Sequence, residues 1–155
     1  MKKLFNVIIT LVSSVCVVSL ASCSSEPYEG FDFGEYNAAL TYTVSSSGNT
    51  VVYRGENKTK TQIEEYVFDG CVLSVINVRR REIECGTSDN AVLIGVGVSE
   101  NPELSKSNGY NVKVTWSGSK VYVNGTRDIY DDVASLNQEQ LVAYLTKKAE
   151  AANSK

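Results

Sequence analysis

Apolar and polar residues alternate along two stretches of the chain, and each stretch is interrupted by a run of small or polar residues. Residues 40–45 and 50–54 alternate on either side of residues 46–49, which read Ser-Ser-Gly-Asn. Residues 112–123 repeat this arrangement, with a turn at residues 117–120. Side chains of a strand point alternately to the two faces of a sheet. A period of two on both sides of a turn therefore predicts two β-hairpins.

The segment between these hairpins is richer in apolar residues. Residues 63–68 and 71–78 flank Asp69-Gly70, a dipeptide typical of a tight hairpin turn, and predict two further strands. Residues 91–98 are almost entirely apolar. Such a run, without alternation, predicts a central strand that is buried on both faces of the sheet.

The period changes at the C-terminus. Ser135 is followed three residues later by Gln138, which predicts a capping box at the start of a helix. The apolar residues then recur at helical spacing: Leu141, Val142, Leu145 and Ala149. We expect a helix over residues 136–151. The fold class predicted is mainly β: an antiparallel sheet of six to eight strands, as a small barrel or sandwich, with one C-terminal helix.

The N-terminus has the pattern of a secretory signal. Lys2 and Lys3 precede an apolar stretch over residues 7–18, which is shorter than the roughly 20 residues that a membrane-spanning helix needs. The stretch ends in Leu20-Ala21-Ser22-Cys23. This tetrapeptide resembles the lipobox of bacterial lipoproteins.

The resemblance implies a defined processing chemistry. Cys23 would carry an S-diacylglycerol group and an N-acyl group, and the signal would be cleaved between Ser22 and Cys23. In its lipobox, and more generally in its size, its acidic Ser-rich tether and its Tyr- and Val-rich β domain, the chain resembles small bacterial outer-membrane lipoproteins, in particular the surface-antigen lipoproteins of spirochaetes. Ser24, which stands where an Asp would retain a lipoprotein in the inner membrane of enterobacteria, fits a location at the outer membrane.

The predicted organisation has three parts. Residues 1–22 are the signal peptide, residues 23–36 are the acylated N-terminus with a flexible tether, and residues 37–155 are a single β-rich domain. The tether is expected to be irregular because Pro27, Gly30 and Gly34 lie close together in it.

Charge and composition exclude several classes of function. The 155 residues carry 15 basic and 18 acidic side chains, and removal of Lys2 and Lys3 with the signal leaves 13 basic and 18 acidic, a formal charge of −5. Such a domain lacks the basic footprint of a nucleic-acid binder, so attachment to a membrane would depend on the covalent lipid. The chain contains no His, which removes the commonest general base and metal ligand. We therefore expect neither an enzyme nor a cofactor or metal site.

Cys71 and Cys85 are the cysteines that remain after cleavage and lipidation. An exported protein meets an oxidising compartment, which favours a disulfide between them. A straight strand from one to the other would separate them by about 46 Å, so pairing requires a turn near residues 77–81. Both alternatives stay open: a disulfide, or two separate thiols.

Two charged clusters have simple structural interpretations. Arg79-Arg80-Arg81 is expected to be a solvated turn, with binding of an acidic partner as the alternative. Asp128, Asp131 and Asp132 lack the spacing and glycine of a calcium loop, and negative charge before a helix is explained by the helix dipole.

Two classes of function remain. The first is a non-catalytic surface or structural lipoprotein that makes contact with a protein or envelope partner. The second is a periplasmic binding or enzyme-inhibitor module on the same lipid anchor, similar to small lipid-anchored lysozyme inhibitors. The second class requires a rigid loop that can enter an enzyme cleft, and residues 99–109 are the candidate.

Overall fold

The computed structural model describes residues 28–155, apart from the side chains of residues 80 and 81. The strands are β1 (Thr41–Ser47), β2 (Thr50–Glu56), β3 (Thr61–Asp69), β4 (Val72–Glu84), β5 (Tyr110–Ser117) and β6 (Lys120–Arg127). The helices are α1 (Phe33–Asn37), α2 (Ser88–Ser99), α3 (Asp131–Ala134) and α4 (Gln138–Asn153). Two short 3₁₀ helices, Pro102–Leu104 and Lys106–Asn108, lie between α2 and β5.

Within the described residues, six strands form one sheet in the order β1-β2-β3-β4-β6-β5, and every neighbouring pair is antiparallel. The predicted class, a mainly β protein with an antiparallel sheet and a C-terminal helix, is confirmed. The sheet is open, with β1 and β5 at its edges, so it is neither a closed barrel nor a pair of stacked sheets.

One face of the sheet carries the core and both long helices. Tyr66 of β3 lies opposite Val51 and Ile76, and Ile76 in turn lies opposite Arg127, so these residues point to the same face. On that face α4 packs against β1 and β2, and α2 packs against β5 and β6. The core is accordingly divided into two clusters, one under each helix.

The three predicted hairpins, two from alternation and one from Asp69-Gly70, are confirmed. The β1–β2, β3–β4 and β5–β6 connections turn through Gly48, Gly70 and Gly118, whose φ angles are 56°, 60° and 57°. These backbone conformations are left-handed, and glycine adopts them without strain. The turn signals in the sequence were therefore sufficient to place these connections.

The segment predicted as a central strand over residues 91–98 is instead part of helix α2, and that prediction was wrong. Thr87 is the N-cap, and its hydroxyl accepts a hydrogen bond of 3.2 Å from the Asn90 amide. A strand buried on both faces needs a layer on each side of the sheet. Both α2 and α4 pack on the same face of this sheet, so no such position exists in the described fold.

The predicted C-terminal helix is confirmed, with a shifted start. The capping box is formed by Asn137 and Gln140, not by Ser135 and Gln138. The Gln140 amide donates to the Asn137 side chain at 2.9 Å, and the Asn137 amide donates to the Gln140 side chain at 3.0 Å. The predicted apolar stripe packs on the sheet as expected, and its buried members are Leu141, Leu145 and Ala149.

The last turn of α4 is attached to the edge of the sheet. The side chain of Asn153 accepts a hydrogen bond of 2.8 Å from the Tyr42 amide and donates one of 2.9 Å to the Tyr42 carbonyl. A carboxamide thus forms with the outer edge of β1 the pair of bonds that a neighbouring strand would otherwise form.

Part of the predicted flexible tether belongs to the folded domain. Phe31 is buried, and Phe33–Asn37 forms α1, capped by a hydrogen bond of 2.9 Å from the Glu35 amide to Asp32. The side chain of Asn57 donates to the Glu35 carbonyl at 2.8 Å and so attaches α1 to the β2–β3 loop. For residues 28–36 the tether prediction was wrong, because Phe31 is buried in the core and Tyr28 and Tyr36 pack against the same core cluster.

Candidate functional site

A group of polar side chains lies inside the helix-covered face, between the two core clusters. We define the Arg127 cluster as Glu64, Tyr66, Tyr110, Arg127 and Tyr130. Glu64 and Tyr66 occupy alternate positions of β3, and Tyr110 of β5 lies directly opposite Arg127 of β6. The strand register therefore brings these side chains together on one face, although they are far apart in sequence.

The centre of the Arg127 cluster is a buried ion pair. Arg127 Nη1 lies 3.5 Å from Glu64 Oε1, and the two side chains are only 12% and 5% exposed. Tyr66 Oη donates a hydrogen bond of 2.6 Å to Glu64 Oε2. Tyr110 Oη donates to Glu64 Oε1 at 3.5 Å, and Arg127 donates to the hydroxyls of Tyr66 and Tyr110, each at 3.4 Å. The bond from Tyr66 is the short one, as is usual for a hydroxyl on a carboxylate.

Burial and the buried carboxylate hold Tyr66 and Tyr110 in their neutral form. Burial, and then the charge of Glu64, raise the pKa of Tyr66 far above its usual range. Burial also raises the pKa of Tyr110, against the opposing effect of its hydrogen bond with Arg127. For Arg127, burial acts to lower the pKa, but the attraction of Glu64 and Tyr66 outweighs it and the pKa is raised. At neutral pH, these two phenols remain protonated and the guanidinium remains charged.

The aromatic rings complete the surroundings of the guanidinium. Its central carbon lies 5.6 Å from the ring centroid of Tyr110 and 5.2 Å from that of Tyr130, within the range of cation–π contacts. Arg127 Nε is buried without a hydrogen-bond partner. Tyr130 is 38% exposed, so the cluster reaches the surface at this ring. The arrangement is suited to fixing the strands relative to one another and to presenting Tyr130, not to moving protons.

A second feature is apolar and lies on the outer side of α2. We define the α2 surface as Val92, Leu93, Val96 and Trp116, which are 42%, 41%, 40% and 40% exposed. The ring of Trp116, from edge strand β5, lies directly against Gly95, where any side chain would collide with it. The glycine thus holds the Trp ring beside the helix, next to its exposed valines.

Cys71 and Cys85 do not pair. Both are free thiols, Cys71 exposed and Cys85 buried. They flank β4, which is continuous over Val72–Glu84 and has only a register shift between Arg80 and Ile83 where the disulfide required a turn. Of the two alternatives left open by the sequence, the structure shows two separate thiols, because a strand of this length keeps its ends far apart. Burial, and then the charge of Glu84, raise the pKa of the Cys85 thiol to about 11.

The basic cluster lies within β4, not in a turn. Arg79 lies 2.9 Å from Glu65 on the uncovered face, with side chains 47% and 22% exposed. Arg80 is opposite Val123 in the register. The expected placement of the cluster in a turn was wrong. The glutamate that pairs with Arg79 comes from the neighbouring strand β3, whereas Glu82 and Glu84, which follow the cluster in sequence, pair with Lys120.

The acidic residues near residue 130 were expected to precede the C-terminal helix, but Asp131 and Asp132 belong to a short helix of their own. Asp131 and Asp132 form the first turn of α3, and Asp132 accepts a hydrogen bond of 3.2 Å from Tyr144.

No group of three or more His, Cys, Asp or Glu side chains within the described part of the chain could hold a metal ion. Within that part, no helix has the length and apolar character needed to cross a membrane. The predicted lipidation and cleavage sites, Ser22 and Cys23, lie outside the described residues.

The loop at residues 99–109 is ordered by its own hydrogen bonds. Asn101 caps the first 3₁₀ helix through a bond of 2.9 Å from the Glu103 amide. Asn108 Nδ2 donates to the Pro102 carbonyl at 2.7 Å, and the hydroxyl of Ser105 donates to the same carbonyl at 2.8 Å. These bonds hold Pro102 to Ser105 and Asn108, and Leu104 packs against the core, so the loop has a defined conformation.

Comparisons of this chain with protein-family models, curated proteins and solved structures find no match. Function is therefore argued from the residues of this chain. Sequence analysis missed the Arg127 cluster, although a signal was present. Glu64 points to the same face of the sheet as Tyr66, and Arg127 points to the same face as Val121 and Val123. Each charge therefore lies on the face that carries the apolar core residues.

Proposed function

We propose that this protein is a lipid-anchored lipoprotein of the bacterial outer membrane, attached through acylated Cys23, which acts by non-catalytic contact with a surface or envelope partner. The observation that carries the proposal is the sequence Leu20-Ala21-Ser22-Cys23 at the end of the apolar stretch behind Lys2 and Lys3. A thiol is the strongest nucleophile available for lipid transfer, and small residues before it allow an extended chain to enter a peptidase.

The position of the domain supports this proposal. Tyr28 follows Cys23 by five residues, and it belongs to an aromatic cluster around Phe31 in the folded domain. A signal with its cleavage site directly before a folded domain is the layout of a tethered module. Two or three acyl chains, each contributing about 0.8 kcal/mol per buried CH₂, would make dissociation from the membrane negligible.

The absence of catalysis is supported by the state of the polar groups that the structure describes. The chain has no His. In the Arg127 cluster Tyr66 and Tyr110 are held neutral and the guanidinium charged, whereas acid–base catalysis requires a group that titrates near the working pH. The buried thiol of Cys85, with its raised pKa, is a poor nucleophile.

Metabolic labelling with palmitate tests the anchor. Wild-type protein and a Cys71→Ser variant should incorporate label, and a Cys23→Ser variant should incorporate none. Cys71→Ser is the matched control because it removes an exposed thiol without touching the lipobox. Label in Cys23→Ser would show that the acyl group is attached elsewhere and that the anchor is misassigned.

A second candidate is an enzyme-inhibitor module on the same anchor, and the ordered loop at residues 99–109 favours it. A loop that binds in a cleft gains affinity when it is already ordered, because less freedom is lost on binding. The net charge of −5 would also attract a basic enzyme such as lysozyme. Asn108→Ala removes the 2.7 Å bond across the loop, whereas Asn111→Ala in β5 leaves the loop bonds intact.

Two measurements separate the candidates. In a lysozyme assay, an inhibitor should lose potency through Asn108→Ala and keep it through Asn111→Ala. On intact cells, external protease should cleave a surface lipoprotein and spare a periplasmic module. Protection from protease together with loop-dependent inhibition would replace the first candidate by the second.

A further inference from the structure

The α2 surface is an apolar patch on the outside of the domain. Helix α2 buries one side, with Ala91, Ile94 and Val98, against β5 and β6. Its other side would be expected to carry polar residues, but Val92, Leu93 and Val96 are exposed there. With 3.6 residues per turn, these three are neighbours on the helix surface.

Trp116 extends the patch onto the sheet edge. Its ring packs on Gly95, which is three residues from Val92 and so its neighbour on the helix surface, and the ring remains 40% exposed. Single exposed apolar residues are normal on a protein surface, whereas adjoining ones mark sites of contact with a partner or a membrane. Trp in particular is enriched at the boundary between lipid and water, where its ring is apolar and its N–H polar.

The chain joins the domain beside the same helix. The carbonyl of Glu29 accepts a hydrogen bond of 3.0 Å from Asn90 in the first turn of α2. Phe31 belongs to the core cluster that contains Ala91 and Ile94. The first residues of the domain are therefore attached to α2.

Covalent geometry limits how far the anchor can be from this point. Cys23 and Tyr28 are five residues apart, and a chain spans at most about 3.6 Å per residue, so their α carbons lie within about 18 Å of each other. A compact domain of this size has a radius of gyration of about 14 Å, which corresponds to a diameter of about 36 Å. A tether of half the diameter keeps the α2 side of the domain towards the lipid.

We propose that the α2 surface docks on the bilayer leaflet that holds the acyl chains of Cys23, with Trp116 at the boundary between headgroups and acyl chains; this inference rests on the proposed lipid anchor. Phe33, 43% exposed and in edge-to-face contact with Phe31 at 4.8 Å, adds an aromatic ring near the point of attachment. The domain then has a fixed orientation, with the uncovered face of its sheet accessible from the aqueous side.

Charge explains why the contact depends on the anchor. Asp89 and Glu100, at the two ends of α2, are exposed, and the mature chain has a formal charge of −5. Neither favours an anionic lipid surface, so the patch alone should bind weakly. The anchor converts docking into an intramolecular step at a high effective concentration, at which a weak apolar contact suffices.

The experiment uses the lipidated protein in vesicles of phosphatidylcholine and phosphatidylglycerol, with and without bromine on the acyl chains. Trp116 is the single Trp of the chain, so its fluorescence reports on the patch alone. Docking predicts loss of Trp116 emission in the brominated vesicles and a shift of the emission to shorter wavelength on reconstitution. Mass spectrometry and flotation with the vesicles establish separately whether Cys23 is acylated.

A matched pair of variants tests the patch itself. Leu93→Gln with Val96→Gln should restore most of the emission in brominated vesicles. Val72→Gln with Val75→Gln is the control, because these valines are 65% and 39% exposed on β4, away from α2, and should leave the quenching unchanged. All four residues are exposed, so neither pair should prevent folding.

The outcomes separate the two proposals. Acylated protein that floats with the vesicles and whose Trp116 is not quenched by bromine overturns the docking and leaves the anchor in place. This holds whether the patch is then in water or covered by a second copy of the chain. Protein without the acyl mass that does not float overturns both proposals.

Discussion

Removal of the guanidinium from the buried pair of Glu64 and Arg127 should strongly destabilise the domain. Arg127→Met keeps a long apolar side chain but leaves Glu64, only 5% exposed, without a cation. Breaking a buried pair in this way costs about 3–5 kcal/mol. We expect a loss of about 3 kcal/mol, the lower end, because Tyr66 still donates its 2.6 Å hydrogen bond to Glu64.

The assay is equilibrium unfolding in urea, followed by far-UV circular dichroism and by Trp116 fluorescence. Arg79→Met is the matched control. The Arg79–Glu65 distance of 2.9 Å is shorter than the 3.5 Å of the buried pair, but the side chains are 47% and 22% exposed. Exposed pairs contribute only about 0–1 kcal/mol, so the control should be nearly neutral. The comparison separates the effect of burial from that of distance.

A double variant completes the cycle. Glu64→Gln combined with Arg127→Met removes both charges, and such replacements of buried pairs are often neutral in stability. The double variant should therefore recover most of what Arg127→Met loses. The reasoning is refuted if Arg127→Met unfolds within about 0.5 kcal/mol of the wild type. It is also refuted if the double variant is less stable than either single one.

Three further experiments test other parts of the fold. Leu145→Ala, at a fully buried position of α4, should cost about 2–5 kcal/mol in the same urea assay, and an unchanged midpoint would show that α4 does not hold the core. In the native mature protein an aromatic disulfide reagent at pH 8 should modify Cys71 and spare Cys85, whose pKa is raised to about 11, until denaturant exposes it; prompt reaction of both would contradict the burial. Asn153→Ala should cost about 1 kcal/mol and speed hydrogen exchange at the Tyr42 amide, and an exchange rate unchanged from wild type would rule out the bond.

The elements that the sequence predicted well are those whose signal is local. Alternation and glycine-bearing turns placed all three hairpins, because each hairpin carries its own period and its own turn. The stripe of Leu141 and Leu145 likewise predicted the buried side of α4. Its start was displaced by two residues because both Ser135 and Asn137 are followed three residues later by Gln, and Asn137 forms the observed cap.

Helix α2 shows where local reasoning fails. Residues 91–98 are apolar on all sides, so neither the helical nor the strand period stands out. In the structure this segment is helical because Thr87 caps its start and because it packs on β5 and β6. The packing on distant strands cannot be read from the local sequence pattern. The exposed valines that obscured the helical period are the ones that form the α2 surface.

Prediction of the Arg127 cluster would have required the order and register of the strands, which sequence periodicity does not provide. Glu64 could be recognised as an exception on the apolar face of β3, but its partner lies 63 residues away in β6. Only the strand order, with β4 between β3 and β6, shows that these two exceptions meet across one intervening strand.

Because Asn153 is bonded to Tyr42, the two edges of the sheet differ in their ability to pair with a strand of a second chain. Unpaired strand edges are templates on which a second chain can add and from which fibres can grow. At β1 an incoming strand would find the amide and carbonyl of Tyr42 already bonded to a side chain and would have to displace helix α4 to reach them. Addition of a strand at this edge is thereby hindered at Tyr42, which favours the opposite edge, at β5, for any strand exchange between copies.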